Sequence, residues 1–280
     1  VDADRILIPV KARAARVSGL NDAAGGLLLN LTVEGDLAIT GDQLLSDNLK
    51  LKSDRIDATA LIVADLGSGT YSGALKGLVN DYRIDGVALI NLTTDAKLVA
   101  APGGGWGIQG QIAGRSSKIL GDGVRGFLGG NASGSARFAF DREGVITFTE
   151  VRLDAPDLRI TGGSGRYDPG GALVLDAEGV SQRYGPMTAR VTGTFAQPNV
   201  LVRVPRPGLG VGLVDLEAQV KGNKGVYAIL AKGETDYGPF TADMLLESGN
   251  MTTVNIRSGR FAGMDFKGRL TQGKGPFSGG

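Results

Sequence analysis

The sequence contains no cysteine and no histidine. Together these absences remove thiol nucleophiles, disulfides, Cys/His zinc sites and histidine general bases. Aromatic residues make up only 6% of the chain, with a single tryptophan, so no aromatic platform for sugars is indicated. Charge of one sign is missing too: 30 basic residues stand against 29 acidic ones, for a net +1. That balance gives no case for nucleic acid or for a strongly anionic surface. No apolar run approaches the ~20 residues that a membrane-spanning helix needs. Neither an initiator methionine nor a signal peptide opens the chain at Val1-Asp2-Ala3-Asp4-Arg5, and Gly273 to Gly280 resembles a linker. The expectation is a segment of a longer protein.

What the 280 residues have in excess is glycine, 46 in all, more than twice the usual share of about 7% and without a collagen period. The glycines fall between short apolar runs, where turns and bulges use them. Strand candidates follow one another from Arg5–Val10 through Leu27–Val33, Leu37–Thr40 and Leu49–Ser53. In 57–66, Ala58, Ala60, Ile62, Ala64 and Leu66 share one face by the period of two. Val87–Leu92 is apolar at both parities, and Asp85-Gly86 is a hairpin-turn signal. After Asn131 the strands resume as Gly134–Asp141, Val145–Leu153, Leu158–Thr161, Ala172–Ala177, Thr188–Phe195 and Val200–Val204. Pro205 and Pro207 break pairing there. Gly222-Asn223-Lys224-Gly225 then turns one strand back on the next, and Met251–Arg257 and Met264–Leu270 close the series. Connections this short make an antiparallel meander.

One helix is predicted, over 116–129, with Leu120, Val124, Phe127 and Leu128 on one face, Ser116 or Ser117 as its cap and Gly129-Gly130 as its stop. It divides the chain into a first β segment (1–115), a helix or linker (116–130) and a second β segment (131–280) continuous with the first. Two hairpins in the second segment repeat: Ala177-Glu178-Gly179 with Tyr184-Gly185-Pro186, and Ala231-Lys232-Gly233 with Tyr237-Gly238-Pro239. Each predicts strand, glycine-bearing turn, Tyr-Gly-Pro, strand, the mark of a protein that grows by adding strands.

Motifs for chemistry are weak. Gly121-Asp122-Gly123-Val124-Arg125-Gly126 fits G-x-G-x-x-G literally, but no βαβ pattern surrounds it. Gly162-Gly163-Ser164-Gly165-Arg166-Tyr167-Asp168 resembles a calcium β-roll repeat with one residue too many, and it occurs once. Asp154/Asp157 and Asp54/Asp57 sit where strands begin or end, as turn chemistry prefers. The basic run Lys11, Arg13, Arg16 is either a headgroup or partner contact or a solvated strand edge. Neither an enzyme, a cofactor nor a metal site is indicated.

The remaining candidate site is an apolar face through Val214, Leu216, Ala218, Val220, Phe240, Met244, Leu246, Val254 and Ile256. Its bland alternative is the core of an ordinary β-sandwich.

The Tyr-Gly-Pro hairpins, Phe127-Leu128-Gly129-Gly130-Asn131-Ala132-Ser133-Gly134 and Leu153-Asp154-Ala155-Pro156-Asp157-Leu158 with the following Gly162-Gly163-Ser164-Gly165 resemble the TamB/AsmA-like superfamily of Gram-negative envelope proteins. The resemblance runs over most of 20–272 and is nearest to an internal portion of TamB-type translocation and assembly proteins. It implies an all-β, elongated, curved antiparallel meander, a taco or half-pipe with an apolar interior and one short helix. It further implies a periplasmic location, with an inner-membrane anchor outside this segment, and phospholipid acyl chains as cargo in outer-membrane biogenesis. An outer-membrane assembly barrel of the TamA type would be met through other parts of the chain. Two further readings stay open: a scaffold for outer-membrane protein or autotransporter assembly by strand hand-over, and a structural or adhesin-type β-repeat protein with a closed core.

Overall fold

The computed structural model describes residues 5–15, 29–84, 87–100, 106–141, 143–194, 197–223, 226–247 and 252–272. Within them lie eighteen strands and one helix. The first half holds β1 (Ile6–Ala14), β2 (Leu31–Thr40), β3 (Gln43–Lys52), β4 (Ile56–Asp65), β5 (Thr70–Ile84), β6 (Ala88–Ala100), β7 (Trp106–Ile119) and α1 (Asp122–Leu128). Then come β8 (Ser133–Phe140), β9 (Ile146–Asp154), β10 (Leu158–Tyr167), β11 (Leu173–Ser181), β12 (Gly185–Gly193) and β13 (Pro198–Val204). The last are β14 (Val214–Asn223), β15 (Val226–Thr235), β16 (Gly238–Glu247), β17 (Thr252–Phe261) and β18 (Met264–Gln272).

Each strand pairs antiparallel with its neighbour in sequence, from β1 with β2 to β17 with β18. The fold is therefore all-β, a single open meander, as the sequence predicts. With eighteen strands, the hydrogen-bonding direction extends about 80 Å at ~4.8 Å per step.

Alternation makes the sheet two-faced, and the register carries one face through every strand. Ile8 pairs with Leu37, Leu75 with Ala96, Leu175 with Val191, and Met244 with Ile256. The opposite face holds cross-strand ion pairs: Lys11–Glu34 at 3.2 Å, Lys76–Asp95 at 3.6 Å, Arg137–Glu150 at 3.2 Å and Arg190–Asp176 at 3.7 Å. Such exposed pairs each stabilise by about 0–1 kcal/mol. Their larger effect is on register, because a one-residue slip would turn the charges onto the apolar side.

Bulges bend the strands partway along their length. Register shifts occur between Val79 and Tyr82 in β5, within Ser135–Arg137 in β8, and between Val214 and Glu217 in β14. Asp81, Glu150 and Asp215 sit there or opposite with φ of 49°, 51° and 51°. A bulge kinks its strand and adds twist. The bend is concave toward the apolar face, as the strand glycines show. A Cβ added to Gly110, on that face, would lie 2.6 Å from Ala96 Cα and 2.7 Å from Ala96 Cβ. One added to Gly73 would lie 2.6 Å from the Leu61 carbonyl oxygen. Side chains converge on the inside of a curve, and glycine leaves the room.

Several sequence expectations are corrected. Ala177-Glu178-Gly179 and Ala231-Lys232-Gly233 are not turns but lie inside β11 and β15. Gly179 and Gly233 occupy the concave face, where their lack of a side chain is needed rather than their turn conformations. The turns come later. Ser181 Oγ accepts from the backbone N–H of Arg183 and Tyr184, both at 3.2 Å, and Thr235 Oγ1 accepts from Tyr237 N–H at 3.2 Å. Likewise 162–165 is the middle of β10, and β2 joins two stretches that the sequence separates at Gly35. Asp85-Gly86 and Lys224-Gly225 lie outside the described residues.

The helix is also shorter than the pattern implies. Ser116 and Ser117 belong to β7; Ser116 Oγ donates to the Ala132 carbonyl at 3.2 Å and accepts from Ala132 N–H at 2.8 Å. Gly121 is the N-cap, with no side-chain cap, and Gly129 ends the helix at φ 74°. The stretch Gly121–Gly126 does follow a strand and open a helix, but β8 returns antiparallel to β7, so no βαβ unit exists. Nothing lies within 4 Å of a Cβ added at Gly126. Gly126→Ala is therefore expected to stabilise by about 0.5–1 kcal/mol, through helix propensity alone, seen as a raised urea midpoint at unchanged slope.

Candidate functional site: the apolar face

Leu216, Ala218 and Val220 line one side of β14, opposite Val204, Val202 and Val200 of β13. Val214 lies beyond the bulge, opposite Glu234, in register with the polar face. Across β15, Val220 faces Ile229, which faces Met244; Ala218 faces Ala231, which faces Ala242. Phe240 is opposite Gly233, Leu246 is opposite Val254, and Met244 is opposite Ile256. All the sequence-predicted residues except Val214 thus share one surface; the extra residue of the bulge at Asp215, which the alternation in the sequence does not show, turns Val214 to the other side. Sequence reasoning passed over the strand that joins them, β15 with Tyr227, Ile229 and Ala231. Val226–Ala231 is apolar at both parities, and Val226 and Leu230 point to the other side, 39% and 49% exposed.

The same surface continues through residues not singled out beforehand: Ile108, Ile112, Phe138 and Phe148 on β7 to β9, and Leu75, Leu92 and Leu98 on β5 and β6. Its side chains are half-buried. None of Val214, Leu216, Ala218, Val220, Phe240, Met244, Leu246, Val254 and Ile256 is fully buried. A closed sandwich of this many strands would bury nearly every second residue. Here the buried apolar side chains are few, among them Leu49, Ala96, Ile119, Leu158, Met187, Val204 and Ala242. The sheet is open, and among the described residues its apolar side has no second layer along most of its length.

The exception is one rim. Val124 and Leu128 of α1 pack with Ala88, Ile119, Leu158, Met187 and Val204, and Leu216 touches the same cluster. Phe127 stacks on Tyr184 with ring centroids 6.4 Å apart, and Asp157 N–H donates to the Leu128 carbonyl at 2.8 Å. The helix covers the ends of the strands between β6 and β14, and no other described element covers the trough.

Outside, Glu217 accepts from Lys232 at 3.0 Å and from Arg203 at 2.9 Å. Lys232 first, then Arg203, holds its carboxyl below the ordinary glutamate value, against a smaller desolvation effect. A depressed folded value means that the stability from this group is present above the unfolded carboxylate pKa, about 4.3. It is lost as pH falls through the folded value. Wild type and Glu217→Gln should therefore keep a constant difference in urea midpoint between pH 7 and 5, which shrinks below about pH 4.

Among the described residues, no group of three or more acidic side chains could hold a metal ion. No helix among them is long and apolar enough to cross a membrane. No protein-family model matches the chain, and no curated protein matches it significantly.

Proposed function

We propose that this chain is a segment of a TamB/AsmA-like bridge between the membranes of a Gram-negative envelope, and that its trough carries phospholipid acyl chains. The observation that supports this most is an apolar face that is uncovered among the described residues, continuous in register from β1 to β18 and on the concave side of the bend. Apolar area left in water is unfavourable by roughly 25 cal/mol per Å², so a face of this extent needs an occupant. Acyl chains fit it: they are apolar, flexible and need no fixed partners, while headgroups can stay at the open side. The reading is non-enzymatic and places the chain in the periplasm, supporting outer-membrane biogenesis.

Strand hand-over would use a free edge. β1 pairs with β2 and β18 with β17, and each outer edge carries basic residues, Lys11 and Arg13 on one, Lys267 and Arg269 on the other. Charged edges resist added strands, so this second reading has less support. A closed structural β-repeat would bury the inward side chains that are half exposed here.

The test is native mass spectrometry of the protein purified from the periplasm of a Gram-negative host, with extraction of bound lipid. Phospholipid carried through purification is the expected result. A folded, lipid-free protein would overturn the reading.

A further inference from the structure

We propose a second site, on the polar face behind the trough: a recess spanning β6 to β10 that binds a phosphate or phosphate-ester group. The recess measures about 580 Å³, within the range of about 300–1,000 Å³ typical of small-molecule sites. Its floor is small, with Ala113 and the backbone of Gly114 and Gly134, and its walls include Arg115, Arg152 and Arg159.

The register explains how the arginines come together. Arg115 on β7 lies opposite Ser133 on β8, and Arg152 on β9 lies opposite Ser135 on the same strand. The two guanidiniums therefore flank one strand, whose Ser133 and Ser135 hydroxyls face outward between them. Elsewhere on this face an arginine meets a carboxylate across the strands, as in Arg137–Glu150 at 3.2 Å and Arg203–Glu217 at 2.9 Å. Here Ser133 and Ser135 stand directly across from the two arginines, with Asp154 of β9 on the far side of Ser133. Among the described residues, neither Arg115 nor Arg152 has an ion-pair or hydrogen-bond partner. The carboxylate nearby, Asp154, is matched by Arg159 at 3.6 Å. Three guanidiniums less one carboxylate leave the recess at a formal +2.

Two arginines on either side of β8, diagonal in register with hydroxyl donors between them, make an arrangement that an anion completes. Guanidinium binds phosphate oxygens in pairs, and Ser hydroxyls donate to the remaining oxygens. The remaining volume accommodates a small polar group attached to the phosphate. The same chemistry could come from a free phosphate ester or from the headgroup of an anionic phospholipid at a membrane surface. The site does not depend on the trough's cargo.

The test uses titration calorimetry with inorganic phosphate and with glycerol 3-phosphate, and flotation with phosphatidylglycerol or phosphatidylcholine vesicles. Wild type is compared with Arg115→Gln/Arg152→Gln and with an equal-charge control, Lys50→Gln/Lys267→Gln, on the same face. All folds are checked by circular dichroism. Phosphate should bind wild type and the control alike, and bind the arginine variant about tenfold or more weakly. Vesicle binding that requires both arginines and is competed by phosphate identifies the source as headgroups. Binding of glycerol phosphate without vesicle flotation identifies a soluble ester. If phosphate fails to bind wild type at millimolar concentration, or if the control loses affinity as much as the arginine variant, the site does not exist.

Discussion

Gly110→Ala should destabilise the protein by about 3 kcal/mol, with loss of about 10 °C or less in Tm. The new methyl would fall on the carbonyl of Asp95 and within 2.6 Å of Ala96 Cα, and backbone cannot step aside as a flexible side chain can. Ala96 is itself only 1% exposed, so there is no free volume behind it. Gly268→Ala is the matched control. It too lies on the apolar face, opposite Ile256, yet nothing lies within 4 Å of its added Cβ. That change should be neutral or slightly stabilising. Equal effects at the two positions would mean that the close approach of β6 and β7, and with it the concave bend, is absent.

The second large effect concerns cargo. Val220 and Met244 stand in one row, both opposite Ile229, and both are half exposed. Val220→Asp/Met244→Asp would set two carboxylates into the trough, where they keep access to water and so leave the fold standing. For acyl chains the same change is severe, because a charge beside them is desolvated without a partner. Co-purified phospholipid is expected to fall at least about tenfold, a change of roughly 1.4 kcal/mol in binding. Leu216 is a poorer choice for this purpose, since it also packs against the helix cluster and its loss would mix stability with binding. Unchanged lipid content in the folded double variant would contradict the trough as the carrier.

Much of this architecture is legible in the sequence. Leu216, Ala218 and Val220 alternate with Glu217, Gln219 and Lys221, and the structure places the two sets on opposite faces. Val214 and Asp215 fit the same alternation in sequence, but the bulge there breaks it. The local signals were less faithful where glycine was concerned. Gly179 and Gly233 read as turn signals, because turns are where glycine is commonest, and the 162–165 run read as a fragment of a β-roll repeat. In this fold the glycines relieve crowding inside a bent sheet, a demand set by the neighbouring strand and invisible along the chain. The helix was overdrawn for a related reason: Ser116 to Leu120 fit a helical stripe, but the backbone groups of that stretch are taken by β6 and β8. Strands apolar on both faces, such as β15, hid their inward residues because period-two reading needs a polar partner for contrast. The arginine recess had no signal at all, since Arg115 and Arg152 come to line one recess only through the register of β8.

The most direct test of the trough is a photo-crosslinking scan along β14 in cells, with a photoreactive residue at each position from Leu216 to Lys221 in turn. Crosslinks to phospholipid at 216, 218 and 220, and none at 217, 219 and 221, are the predicted result. Crosslinks without that alternation, or phospholipid captured only from the polar face, would contradict it.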